Sequence, residues 1–86
     1  MSKIICKIEM FDLNQKIFLS NNGELTPITD TTIEDLPAVL TDISWQTEIP
    51  KIVLYGNKFY AQQVSDKTLE FAKTRYAMNN LEIEVI

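Results

Sequence analysis

The chain has 86 residues, 45% hydrophobic and 23% charged, with only 2 Gly and 3 Pro, the profile of one ordered globular domain with a single core and no room for a second. Its formal charge of −4 and pI of about 4.6 lack the basic footprint of a protein that grips a phosphate backbone unaided, which argues against general nucleic-acid binding and for an ordinary solvated acidic surface. With no His and with Cys6 as the single cysteine, an intramolecular disulfide, a Cys-based metal cluster, His-ligated metals and Ser-His-Asp or Cys-His nucleophiles are all excluded.

The first segment, Lys3 to Leu13, alternates: Ile4, Cys6, Ile8 and Met10 point one way and Ile5, Lys7, Glu9 and Phe11 the other, since successive side chains on a strand change face. The first set is the core face, which makes Cys6 a buried structural thiol rather than a reactive one. Asp12, Leu13, Asn14 and Gln15 then read as a turn, and Lys16 to Ser20 as a second strand with Ile17 and Leu19 inward and Lys16 and Phe18 outward. Asn21-Asn22-Gly23 tolerates the positive φ of a tight hairpin and returns the chain as a third strand, Glu24 to Thr29, which Pro27 assigns to a sheet edge by removing a ladder donor.

From Thr32 the spacing becomes helical, with Ile33, Leu36, Leu40 and Ile43 on one stripe; Thr32 and Asp35 resemble a capping box, Pro37 fits only near the helix start, and Trp45 packs at a shoulder. Pro50 and Gly56-Asn57 bound the run KIVLYGN, residues 51–57, whose consecutive Ile52, Val53, Leu54 and Tyr55 read as a central parallel strand. Asn57 caps a second helix from about Lys58 to Met78, with Tyr60, Val64, Phe71 and Arg75 on one row, Ala61, Thr68, Ala72 and Tyr76 close to it, and a polar middle, Ser65 to Thr68, as the expected place for a kink. Asn79-Asn80 ends that helix, and Leu81 to Ile86 forms a last strand with Leu81, Ile83 and Val85 inward.

The predicted fold is α/β, a single domain over residues 1–86 in the order βββαβαβ: a five-stranded mixed sheet of order 3-2-1-4-5 with two helices on one face, the later strands reached by right-handed crossovers. No segment approaches the roughly 20 apolar residues needed to span a bilayer, and MSKIICKIEM lacks the apolar core of a signal peptide; a soluble, cytoplasmic protein is expected, with no membrane partner.

That order of elements resembles the core shared by ribonuclease H-like nucleases and actin-like ATPases, and the wording of MFDLNQKIFLS and KIVLYGN is similar to small uncharacterised proteins of phages and prophages. In nucleases of this fold a carboxylate on the first strand and another near the end of the fourth hold metal ions that activate water. The resemblance offers Asp12 or Glu9 for the first, but Leu54, Tyr55 and Gly56 supply no acid for the second, and Asp66 and Glu70 have no assured position. Two-metal chemistry needs several converging carboxylates. The glycine-rich phosphate loops of the ATPases are absent too, so the resemblance implies a minimal, inactive version with no catalytic residue, metal or cofactor.

Two surfaces remain as candidates. Asp12, Asn14, Gly56 and Asn57 meet at the carboxyl ends of the first and fourth strands, where ligands of open α/β sheets sit, although turn and cap duties explain the same residues. The sheet face without helices would carry Ile5, Phe11, Phe18, Ile28, Val53, Tyr55 and Ile86 among Lys7, Glu9, Lys16, Glu82 and Glu84. Apolar residues ringed by charge suit an interface, here with Phe11, Phe18, Val53, Tyr55 and Ile86 as contacts, either in a homodimer or on a host protein; long Lys and Glu side chains covering the apolar atoms are the plainer alternative. The functional expectation is a non-catalytic protein-interaction module of phage or prophage type that inhibits a host or defence enzyme, and the alternative is a reduced metal-dependent nuclease built on Asp12.

Overall fold

The alternation of the first segment becomes a strand, β1 (Ser2–Ile8), and Ile4, Cys6 and Ile8 on one side of it are fully buried. In the computed structural model, which describes residues 2–9 and 13–86, β2 (Asn14–Asn21) and β3 (Glu24–Thr32) follow as an antiparallel hairpin. The hairpin turns on Asn22 and Gly23, whose φ angles of 53° and 87° are the positive values that a two-residue connection demands. After helix α1 (Leu36–Thr47), β4 (Lys51–Gly56) pairs parallel to β1, and after helix α2 (Lys58–Arg75), β5 (Glu82–Val85) pairs parallel to β4. The sheet order is β3-β2-β1-β4-β5, so the chain is an α/β fold with a five-stranded mixed sheet and two helices.

Both helices lie on one face. Leu36 and Leu40 of α1 and Ala61, Val64 and Ala72 of α2 join Ile4, Cys6, Ile8, Ile17, Ile52 and Leu54 in one buried cluster, and those strand residues share a face by alternation and by register. Each fully buried Leu or Ile contributes about 1.5–3 kcal/mol, so this cluster dominates the stability. The shortest dimension of the molecule, 20 Å, equals one helix layer on one sheet.

Several boundaries differ from the expectation. The helix expected from Thr32 begins at Leu36, because Thr32 still pairs with Asn14 in the sheet; its hydroxyl donates to the Asp35 carboxylate at 3.2 Å, closing a turn ahead of the helix, and no side chain caps α1. Pro37 does sit in the first turn. α2 has no break at Ser65 to Thr68: Ser65 and Thr68 are buried, and the Thr68 hydroxyl donates to the Val64 carbonyl at 2.6 Å, so the polar stretch is satisfied inside the helix. The most deeply buried row is Ala61, Val64, Thr68 and Ala72, beside the expected one, of which Tyr60 packs partly buried against the core while Arg75 is exposed; the small residues let α1 approach, and Thr41 donates to the Pro37 carbonyl at 2.7 Å while lying against Thr68. Arg75 instead lies over the ring of Phe71, 4.3 Å from its centroid. The helix stops at Arg75 and the left-handed residue after it is Ala77, with φ of 52°, rather than Asn79 or Asn80.

Candidate functional site

At the carboxyl ends of β1 and β4 the chain turns sharply into α2. Gly56 has φ of 106°, and a Cβ added there would collide with the Ile8 carbonyl oxygen and lie 3.2 Å from the Ile8 nitrogen. Asn57 then donates its backbone N–H to that same carbonyl at 2.8 Å and accepts the Tyr60 N–H on its side-chain oxygen at 3.1 Å. The two residues thus join β4 to β1 and cap α2, which are structural duties. Asn14, the first residue of β2, is exposed and lines a shallow cavity of about 260 Å³ with Lys7, Glu9, Gln15, Lys16, Phe18 and Tyr55; Gly56 and Asn57 are not in its wall. Asp12, expected to complete this corner, lies outside the described residues, as do Met10 and Phe11.

The helix-free face is organised in rows across the strands. Pro27 pairs with Phe18, Phe18 with Ile5, Ile5 with Val53, and Val53 with Glu84, so a continuous apolar row crosses four strands and ends on a carboxylate. On one side of it run Asp30, Lys16, Lys7 and Tyr55; on the other run Leu25, Ser20, Lys3, Lys51 and Glu82. Lys7 pairs with Glu9 at 2.8 Å, and Lys51 reaches Glu84 at 3.6 Å and Glu82 at 4.0 Å. Exposed pairs of this kind stabilise little, but their alkyl stems cover apolar atoms.

Val53 shows the result. It has no helix over it, yet it is only 5% exposed, so it offers a partner little surface; Phe18 and Ile5 are half-buried, while Tyr55 and Ile86 are 37% and 59% exposed. Ile28, opposite the irregularity between Ile17 and Phe18, is 39% exposed and lines a shallow apolar cavity of about 310 Å³ with Phe18 and Pro27.

No protein-family model matches the chain, and no curated protein matches it. Among the solved neighbours are Ppx/GppA proteins. The chain is similar to the Aquifex aeolicus family member at 17% identity and a TM-score of 0.41, and to the type II variant of the Aquifex aeolicus Ppx/GppA phosphatase at 16% identity and a TM-score of 0.44. All of this chain is aligned in both, against 35% of each neighbour, so it spans about a third of their length. That family has an actin-like ATPase, ribonuclease H-like fold.

Among the described residues, no group of three or more His, Cys, Asp or Glu is placed to hold a metal ion, and Asp66 and Glu70 are exposed on α2. Cys6 is fully buried, and burial pushes its thiol up to about 12, so it stays protonated and unreactive in the folded chain. No described helix is long and apolar enough to cross a membrane.

Gln15 escaped the sequence reading, which made it a turn residue. It is the second residue of β2, 1% exposed; its side-chain oxygen accepts the Glu9 N–H at 2.7 Å and its amide donates to the Glu9 carbonyl at 3.0 Å. The side chain thereby extends the sheet pairing one step past β1. Its position two residues before Ile17, on the inward alternation, was the signal available.

Proposed function

We propose that this chain is a small non-catalytic interaction protein of phage or prophage type, working in the cytoplasm, whose helix-free sheet face binds a second copy of itself or a host protein such as a defence enzyme that it inhibits. The observation that carries the proposal is the apolar row Pro27, Phe18, Ile5 and Val53, left without a helix and walled by charged rows on both sides. An apolar centre with a polar rim is the anatomy of an association surface. The molecule measures 32 by 29 Å across its two longer axes, enough for the roughly 800 Å² that each partner buries in a standard interface.

Light scattering over a concentration series, comparing the wild type with Phe18→Glu, tests this reading. Phe18 points away from the helix-covered core, so the variant keeps its fold, which circular dichroism checks. A dimer that the substitution dissociates supports self-association. A monomer in both proteins removes it, and failure to recover any partner from host lysate with the wild type would then refute the reading as a whole.

A further inference from the structure

A groove of about 540 Å³ lies where α1 and α2 both end, lined by Trp45, Gln46, Glu48, Pro50, Met78 and Asn80, none of which belongs to the sheet-face rows. Trp45 is 53% exposed and rests against Tyr76, with ring centroids 5.5 Å apart, so the indole is held in place while much of it stays open to a ligand. Behind it, the Asp42 carboxylate accepts the Tyr76 hydroxyl at 3.2 Å and the Gln46 amide at 3.1 Å, both neutral donors. Among the described residues neither Asp42 nor Glu48 forms an ion pair. The neighbouring Arg75 has its guanidinium over Phe71.

The backbone adds a second observation. Both glycines of the chain, Gly23 and Gly56, have positive φ, yet Glu48 and Ala77, on the two segments that flank this groove, also have positive φ, at 59° and 52°. Glu48 is the C-cap of α1, where glycine or asparagine is easier to accommodate. Strain of this kind collects at functional positions. At Glu48 this left-handed position carries a carboxylate-bearing residue that lines the groove.

We propose that this groove binds a cationic side chain on a protein partner, an arginine or lysine next to an apolar residue, with the apolar part against Pro50 and Met78 and the cation between the Trp45 ring and Glu48. Cation–π attraction to an indole and an unpaired carboxylate reinforce each other on one bound charge. The proposal stands independently of the sheet-face reading, because it uses different residues and a different readout.

Trp45 is the only tryptophan, so its fluorescence reports on the groove directly. The probe is the capped tripeptide Leu-Arg-Leu, with Leu-norleucine-Leu and Leu-Glu-Leu as controls. The arginine peptide should change the emission saturably below about 10 mM, the weak affinity that so small a contact supports, and the glutamate peptide should not. Glu48→Gln should weaken the arginine peptide about two- to fivefold, in the range of one exposed charge contact.

Glu48→Gly separates the role of the side chain from that of the backbone. Relief of the left-handed strain should raise the Tm while peptide affinity falls. Equal responses to the arginine and norleucine peptides, absence of any saturable change, or an unchanged affinity in Glu48→Gln would each overturn the proposal.

Discussion

Gly56→Ala tests the joint between β1, β4 and α2 most directly, because Gly23→Ala makes the same chemical change where only the backbone conformation is strained. At Gly23, φ is 87° and an added Cβ meets nothing within 4 Å, so the cost is the strain of an L residue at positive φ, about 1–2 kcal/mol. At Gly56, φ is 106° and the new methyl also collides with backbone, the Ile8 carbonyl that accepts the Asn57 N–H at 2.8 Å. Moving that carbonyl away breaks the bond, and an unmade buried hydrogen bond costs about 1–3 kcal/mol on top of the strain. The expected loss at Gly56 is about 2–5 kcal/mol, out of the roughly 5–15 kcal/mol that holds a domain together. Urea unfolding followed by far-ultraviolet circular dichroism, with both variants at one pH and one m-value, measures the difference. Losses within about 0.5 kcal/mol of each other would show that the contact with Ile8 does not constrain the fold and would refute the reasoning.

Gln15→Leu keeps the side-chain volume but removes both bonds to the Glu9 backbone; it should cost about 2–3 kcal/mol and speed hydrogen exchange at the Glu9 amide, and stability within about 0.5 kcal/mol of wild type would contradict the role given to the amide. For Cys6, burial raises the thiol from 9.0 to about 12, so the folded chain keeps a proton that the unfolded chain releases. The thiol's contribution is complete below about pH 9 and is lost as the pH rises towards 12, at about 1.4 kcal/mol per pH unit. Cys6→Ala should flatten the alkaline decline in urea-measured stability, and an unchanged slope would place the titration on other groups.

How much was legible depended on how far the deciding interaction reached along the chain. Ile4, Cys6 and Ile8 could be assigned to the core because a strand changes face at every residue, and the order 3-2-1-4-5 followed from short antiparallel turns and right-handed crossovers. Asn22-Gly23 and Asn57 were legible for the same reason, since a positive φ and a cap are settled within a few residues.

What only the tertiary structure decided were matters of neighbours distant in sequence. Tyr60, Val64, Phe71 and Arg75 make as good a helical row as Ala61, Val64, Thr68 and Ala72; α1 selects the second because helices pack closely only over small side chains, and Thr68 accepts the contact from Thr41. Val53 is buried on a face without helices because Ile5 and Glu84 flank it in register and Lys51 reaches across to Glu84. Trp45 and Tyr76 meet only when the ends of two helices come together, 31 residues apart in sequence. Local periodicity determined which elements this chain forms and which way the strands face; close packing between elements decided which helix row is inside and which aromatic surfaces are left open.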